Sequence, residues 1–339
     1  MRSVAAVSSL GSGAFALLLA LTDGADGVLH GAVHPSEYLA NLTTAPPAGE
    51  FVRTFVERID EYSVHVRGHP PGFVLVLKAL DSVGLGDGWP TALLSVAATM
   101  ALTAGVLVTV WVTVDADWMR RVAPLLVVPP YVLWAVTSGD AVFAAVGAWG
   151  VAACAFGLRT SGWRAVVAGA VGGLPLTMAV SARRSGAPGK ARTVAAAIGV
   201  AVAVTAAFAV AGFWWFAGAA ETRLQYWAGT AQFRTWTYFG LANLAVALVA
   251  LGPATFAGLT RLRDRRVLVL VGGGLVALLA SHLSQYSRGE VERIWLLFYP
   301  WIAVAGGALI GSSRLRSAAW VGMQAAGAIV LQAALVSKW

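Results

Sequence analysis

Long apolar runs recur along the whole of this chain, separated by short clusters of arginine, and nothing else in the sequence restricts its fold so strongly. A helix crossing the hydrocarbon core of a bilayer needs about 20 consecutive, mostly apolar residues. Runs of that length, or slightly shorter, fall near 4–21, 91–113, 122–137, 141–157, 194–216, 237–259, 267–283, 294–311 and 318–336. Only 12% of the 339 residues are charged, about half the density of a soluble domain and too few to cover a water-soluble body. The expected fold is all-α, a polytopic membrane helix bundle of about nine or ten segments forming one domain over 1–339.

Three segments need individual treatment. The first run, Val4 to Leu21, follows Arg2 and resembles a signal peptide in outline, but the many spans after it favour a retained first helix. Residues 72–85 carry Lys78 and Asp81, which are costly in lipid, so a short helix at the membrane surface is expected there. Residues 163–182 contain Gly172-Gly173 and Pro175 and read either as one span or as a broken re-entrant pair. Pro129-Pro130 should kink the 122–137 run.

The basic residues fix an orientation. With the N-terminus inside and 163–182 re-entrant, Arg120/Arg121, Arg159/Arg164, the group from Arg183 to Arg192, Arg261 to Arg266 and Arg314/Arg316 all become cytoplasmic. That is fourteen of the 24 Lys and Arg. The net charge of +8 is thereby explained by topology, and no basic stripe with interleaved aromatics points to nucleic acid. The single cysteine, Cys154, excludes an internal disulfide and a cysteine metal cluster. The preference for Arg over Lys, with abundant Ala, Val and Gly, suggests a GC-rich bacterial coding bias.

On the other side of the membrane lies a long first loop, 22–88, expected to carry juxtamembrane helices, with 89–339 as the remaining bundle. Pro35 opens a short helix bearing Glu37 and Tyr38. Phe51, Phe55, Ile59 and Tyr62 then recur at helical spacing with charges between them, giving an amphipathic helix that either lies in the interface or packs on top of the protein. Next, His65, Arg67 and His69 precede Pro70-Pro71-Gly72, where a helix begins. A helix start facing these groups suits a phosphate or carboxylate. The alternative is that the histidines merely satisfy backbone carbonyls.

His69-Pro70-Pro71-Gly72-Phe73, placed after a first span and a long loop, resembles the His-Pro-Pro region of GT-C glycosyltransferases. Among these are the protein O-mannosyltransferases, the aminoarabinose transferases and the actinobacterial arabinosyl- and mannosyltransferases. The resemblance is close over His69–Phe73 and loose over the first two-thirds of the topology. It implies a multi-pass bacterial cell-membrane enzyme with its active site on the extracytoplasmic side. Such an enzyme moves sugar from a polyprenyl-phosphate donor to a glycan or protein acceptor, in cell-envelope glycan or glycoprotein synthesis. The family places an acid on the first outer loop, usually an Asp-Glu pair. This chain has no such pair, and Glu37, Asp23 and Asp26 are the candidates, with Glu37 favoured because it precedes Tyr38. The family's second outer acid corresponds to Asp140, whose other role would be to cap the helix starting at Ala141.

A second charged cluster, Arg288-Gly289-Glu290-Val291-Glu292-Arg293, stands at a membrane boundary. Glu290 and Arg293 are three apart and either pair with each other, or Arg293 grips a lipid-linked phosphate while Glu290 or Glu292 holds it or binds sugar hydroxyls. Aromatic and polar residues in 217–237 suit a sugar or an ordinary interface belt. No ligand spacing establishes a cofactor, and a divalent metal stays open. Two alternatives stand beside the enzyme, a lipid flippase or transporter and a non-catalytic membrane subunit of the same fold. The few polar residues inside spans, such as Asn243, Gln324 and Gln332, speak against ion-coupled transport.

Overall fold

A computed structural model of the chain describes residues 2–136, 138–171 and 190–335. It is all-helical, with no strand among the described residues. Helix α1 (Arg2–Ala20) runs through a short 3-10 turn into α2 (Gly24–Val33), and together they make the first of seven segments, among the described residues, long and apolar enough to cross a membrane. Three short helices follow, α3 (Ala48–Thr54), α4 (Val64–Arg67) and α5 (Gly72–Asp81). The second span is α6 (Gly88–Thr113).

Next comes the first irregular crossing. Helix α7 (Ala116–Val127) stops before Pro129, and a 3-10 turn over Pro130–Trp134 completes the passage. The two prolines remove helix donors, as expected, and break the 122–137 run into two pieces. The third span is α8 (Asp140–Arg159), after which come α9 (Trp163–Val171) and the fourth span, α10 (Lys190–Val210). Residues 172–189, including Gly172-Gly173, Pro175, Arg183 and Arg184, lie outside the described residues. Thr193 at the start of α10 donates to the Ala165 carbonyl near the start of α9 at 3.3 Å, so the beginnings of these two helices lie side by side. A surface helix, α11 (Trp215–Ala228), leads to the fifth and sixth spans, α12 (Trp236–Arg261) and α13 (Arg265–Ser284). A short outer-end helix, α14 (Val291–Ile294), and a 3-10 turn over Trp295–Leu297 lead into the second irregular crossing, made of α15 (Tyr299–Ala303) and a 3-10 turn up to Leu309. The seventh span is α16 (Arg314–Ala334).

The expected runs at 122–137 and 294–311 are therefore broken crossings. Irregular backbone is tolerated at membrane depth only where protein surrounds it. Trp295, Leu296, Tyr299, Ile302, Val304 and Ala305 are all fully buried, and Tyr131 of the first broken crossing stacks on Tyr299 of the second at 6.0 Å. The regular helices α10 and α16, by contrast, lie at the periphery, with Val202, Val210 and Val330 facing outward, while α6 and α8 are more than half buried. Between α6 and α8, contact depends on small residues, as lipid supplies no hydrophobic drive for helix association. A Cβ on Gly105 would come within 3.0 Å of the Ala148 side chain.

Alternation of the spans gathers the turns at 114–116, 159–163, 262–264 and 310–313, with their arginines, at one end. There Arg266 pairs with Asp115 at 3.0 Å, tying the α6–α7 turn to the α12–α13 turn. The opposite end, hereafter the outer end, carries 34–87, 138–139, 211–235 and 285–298. Its loops have their own apolar cluster of Tyr38, Phe51, Phe55, Ile59, Tyr62, Val66, Phe73, Val74, Leu77 and Phe213. The apolar stripe Phe51–Tyr62 thus packs inward on the protein, with each of its four residues at most 2% exposed. It is also not one helix, because α3 ends at Thr54 and a turn and a 3-10 segment carry the rest. Inward packing of Phe55 between Phe51, Tyr62 and Phe213 is incompatible with a straight interfacial rod. Lys78, awkward in lipid, donates to the Ala45 carbonyl at 2.9 Å.

Candidate functional site

Glu37 sits in a turn between α2 and α3. The helix expected to open at Pro35 reduces to a single 3-10 turn over Leu39–Asn41, because Asn41 uses its side chain to clip a distant segment. Its Oδ1 accepts from the Ser63 backbone N–H at 3.0 Å, and its Nδ2 donates to Ser63 Oγ at 2.7 Å. Ser63 Oγ in turn donates to the Glu37 carbonyl at 3.0 Å, and the His65 N–H donates to the Ser36 carbonyl at 3.2 Å. These backbone locks set Glu37 and His65 side by side, with Glu37 Oε1 3.4 Å from His65 Nε2.

The third member arrives from late in the chain. Arg293 on α14 donates through Nη1 to Glu37 Oε1 at 2.6 Å, and its Nε lies 3.6 Å from Asp140 Oδ2 at the start of α8. Its Nη2 stands 2.5 and 2.6 Å from the two ring nitrogens of His65, one of which accepts in the neutral imidazole. Glu37 and Arg293 are each 2% exposed. Asp140 also accepts from Ser138 Oγ at 2.7 Å, while α8 takes Gly139 as its N-cap, so Asp140 is not the cap.

The charges explain each other. One guanidinium faces two carboxyl groups in a water-poor setting. Burial pushes the Glu37 carboxyl up to about 7 even though Arg293 favours its ionised form, and Asp140 adds to the rise. Burial together with the Arg293 charge pushes His65 down to about 3, so it stays neutral. Burial opposes the charge on Arg293, but Asp140 and Glu37 outweigh it and keep the guanidinium protonated. Tyr38 is likewise held protonated by burial. Its hydroxyl lies 2.7 Å from His69 Nδ1, which also lies 2.9 Å from the His65 carbonyl oxygen. A carbonyl only accepts, so that contact requires a proton on Nδ1. The His69 ring stacks on Phe143 at 5.0 Å.

Glu37, His65, His69, Asp140 and Arg293 thus form one cluster. Other sequence candidates lie elsewhere. Asp23 and Asp26 line a separate cavity beside α16, where Asp23 accepts from Gln332 at 2.8 Å. Arg67 turns towards α11, donating to the Tyr62 carbonyl at 2.6 Å and to Gln225 at 3.4 Å. Glu290 does not pair with Arg293. It adopts a left-handed conformation at the start of α14 and pairs with Arg234 at 3.0 Å. Arg288 lies over the Trp227 ring at 4.5 Å and donates to the Arg234 carbonyl at 2.8 Å. Glu292 is half-buried on α14. The 285–290 turn is fixed by Asn243 on α12, which donates to the Ser287 carbonyl at 2.6 Å and accepts from the Gly289 N–H at 3.1 Å.

Four contributors carried no sequence signal for this role: Tyr38 as partner of His69, the Asn41–Ser63 clip, Arg234 and Asn243. Among the described residues, no group of three His, Cys, Asp or Glu side chains is arranged to hold a metal ion. No protein family, characterised protein or solved structure matches this chain.

Proposed function

We propose that the protein is a membrane glycosyltransferase that moves a sugar from a polyprenyl-phosphate donor to an acceptor hydroxyl at the outer end of the bundle. By the positive-inside rule we take that end as extracytoplasmic, since the arginine-rich turns lie at the other. One observation carries the reading. A carboxyl group at the outer end, Glu37, is tuned by burial to about 7 and held 2.6 Å from the guanidinium of Arg293. A base works best when its pKa lies near the working pH. Support also comes from the resemblance of His69–Phe73 to the His-Pro-Pro region described above, and His69 belongs to the same cluster.

In this reading the Glu37 carboxylate takes the proton of the acceptor hydroxyl, whose oxygen attacks the anomeric carbon. The bond from that carbon to the lipid-phosphate oxygen breaks, and its electron pair leaves on the phosphate. Arg293, fixed before the reaction begins, faces the growing negative charge. Single displacement inverts the anomeric centre. Buried polar side chains within the spans serve helix packing, as Thr99, Thr109 and Thr255 donate to carbonyls four residues back. That weakens the transporter alternative. The non-catalytic alternative draws on the near-complete burial of Glu37 and Arg293.

The deciding experiment uses purified full-length protein in vesicles with radiolabelled polyprenyl-phosphate sugars and membrane-extract acceptors. Transfer should vanish in Glu37→Gln and fall steeply in Arg293→Lys. Transfer left intact by both Glu37→Gln and Arg293→Ala would refute the site. No transfer by the folded wild-type protein with any polyprenyl-linked sugar would favour the non-catalytic reading.

A further inference from the structure

A cavity of about 780 Å³ opens between the end of α1, the first turns of α2 and the end of α16, away from the Glu37–Arg293 cluster. Its size lies within the roughly 300–1,000 Å³ of small-molecule sites. Its walls are apolar, with Phe15, Leu18, Leu133 and Ile329 among them. Leu18 and Ile329 are 63% and 54% exposed, so the walls continue directly into the lipid-facing surfaces of α1 and α16. An occupant therefore reaches the cavity sideways, from the bilayer.

Chemistry at the polar rim then narrows the occupant. Asp23, Asp26, His30 and Gln332 supply it, and no lysine or arginine lines the cavity among the described residues. Asp23 and Asp26 lie three apart across the start of α2, and the 2.8 Å bond from Gln332 ties Asp23 to the end of α16. A negative rim above apolar walls repels a purely anionic head and complements a cationic one. We propose that this cavity binds a membrane lipid with a primary-ammonium head, the ammonium between the two aspartates and a tail along α1 and α16. The proposal is independent of the glycosyltransferase reading, because it uses none of the residues of the Glu37 cluster.

Native mass spectrometry of the full chain tests it, after incubation with equimolar phosphatidylethanolamine and phosphatidylglycerol of identical tails. Phosphatidylethanolamine should be retained over phosphatidylglycerol by about tenfold, the discrimination expected of a cation set against two carboxylates. Asp23→Asn/Asp26→Asn should bring the ratio close to one. If that pair fails to fold, Asp26→Asn alone, which leaves the Asp23–Gln332 bond in place, should still reduce it. Leu18→Trp, which fills the cavity, should lower retention of both lipids. Equal retention by the wild-type protein, or a preference that survives loss of the aspartates, would overturn the proposal. Retention unaffected by Leu18→Trp would overturn the cavity as its seat.

Discussion

Arg293 reaches back 256 positions to hold the carboxyl of Glu37 at 2.6 Å, joining the last outer turn to the first. The pair is buried, and the two sides of it are not equivalent. Removing Arg293 strands two carboxyl groups, whereas removing Glu37 leaves Arg293 with Asp140. Arg293→Met should therefore destabilise the protein by about 3–5 kcal/mol. Glu37→Gln should cost less, about 1–3 kcal/mol, since one hydrogen-bond partner is replaced by another. Thermal unfolding in detergent gives the order, and equal losses would argue against Arg293 as the shared cation.

The same cluster sets a pH signature. Glu37 has a raised folded pKa, about 7 against 4.5, so its contribution is full below 4.5 and is lost as pH rises towards 7. His65 has a lowered one, about 3 against 6.5, so its contribution is full above 6.5 and is lost as pH falls towards 3. Between 4.5 and 6.5 the two slopes oppose each other, and the wild-type protein should change little on their account. Glu37→Gln should unmask the histidine, with the melting temperature dropping on acidification below about 6.5. His65→Gln should unmask the acid, with the melting temperature dropping as pH rises from 4.5 to 7. Parallel pH profiles for wild type and both variants would contradict the assignment.

Asn243 is the anchor of the 285–290 turn, through one donated and one accepted bond. Asn243→Leu removes both and leaves buried backbone groups without partners, at a cost of about 1–3 kcal/mol. Amide hydrogen exchange should speed up first at Gly289 and its neighbours. Exchange unchanged there, with loss spread over the whole chain, would show the turn held by other means.

Helix α12 is broken at Gly252, φ 71°, ahead of Pro253. Gln324 on α16 repairs the break, accepting from the Ala254 N–H at 3.1 Å and donating to the Leu251 carbonyl at 3.1 Å. A Cβ at Gly252 would meet the Gln324 amide oxygen and Pro130, besides requiring a left-handed conformation. Gly252→Ala should cost about 1–3 kcal/mol in thermal stability, and Gln324→Leu a similar amount by orphaning two backbone groups at membrane depth. Wild-type stability in both variants would mean the kink needs no support.

Much of the architecture was legible because lipid imposes a one-dimensional rule. Apolar length alone located the long helices, and the charge content of 72–85 excluded it as a span. Pro129-Pro130 announced the first broken crossing. The second, through Trp295 to Leu309, carried no such mark. Its 3-10 turns follow from being encased by other helices, a tertiary fact. In the site, Glu37, His65, His69, Asp140 and Arg293 were each visible as polar groups at the outer ends of apolar runs. Which of them would touch was not. Glu290 stood three residues from Arg293, and pairing between them was one of two readings, yet a left-handed residue at the start of a four-residue helix sends Glu290 to Arg234. Asp23 and Asp26 matched the family position by order along the chain, but the extension of the first span through α2 removes them to another cavity. Pairings across hundreds of residues, such as Thr222 with the Arg67 carbonyl, leave no periodic trace.

The long reach from Glu37 to Arg293 has a consequence for biogenesis. At about 5–20 residues per second, the ribosome takes roughly 10–50 s to make the stretch separating them. In the proposed orientation the first outer loop waits across the membrane throughout that interval, while its cation has yet to be synthesised. A carboxyl group that can take up a proton is well suited to such a wait. A nascent chain halted before the last outer turn should therefore insert every earlier helix correctly and still present an undocked, protease-sensitive first loop.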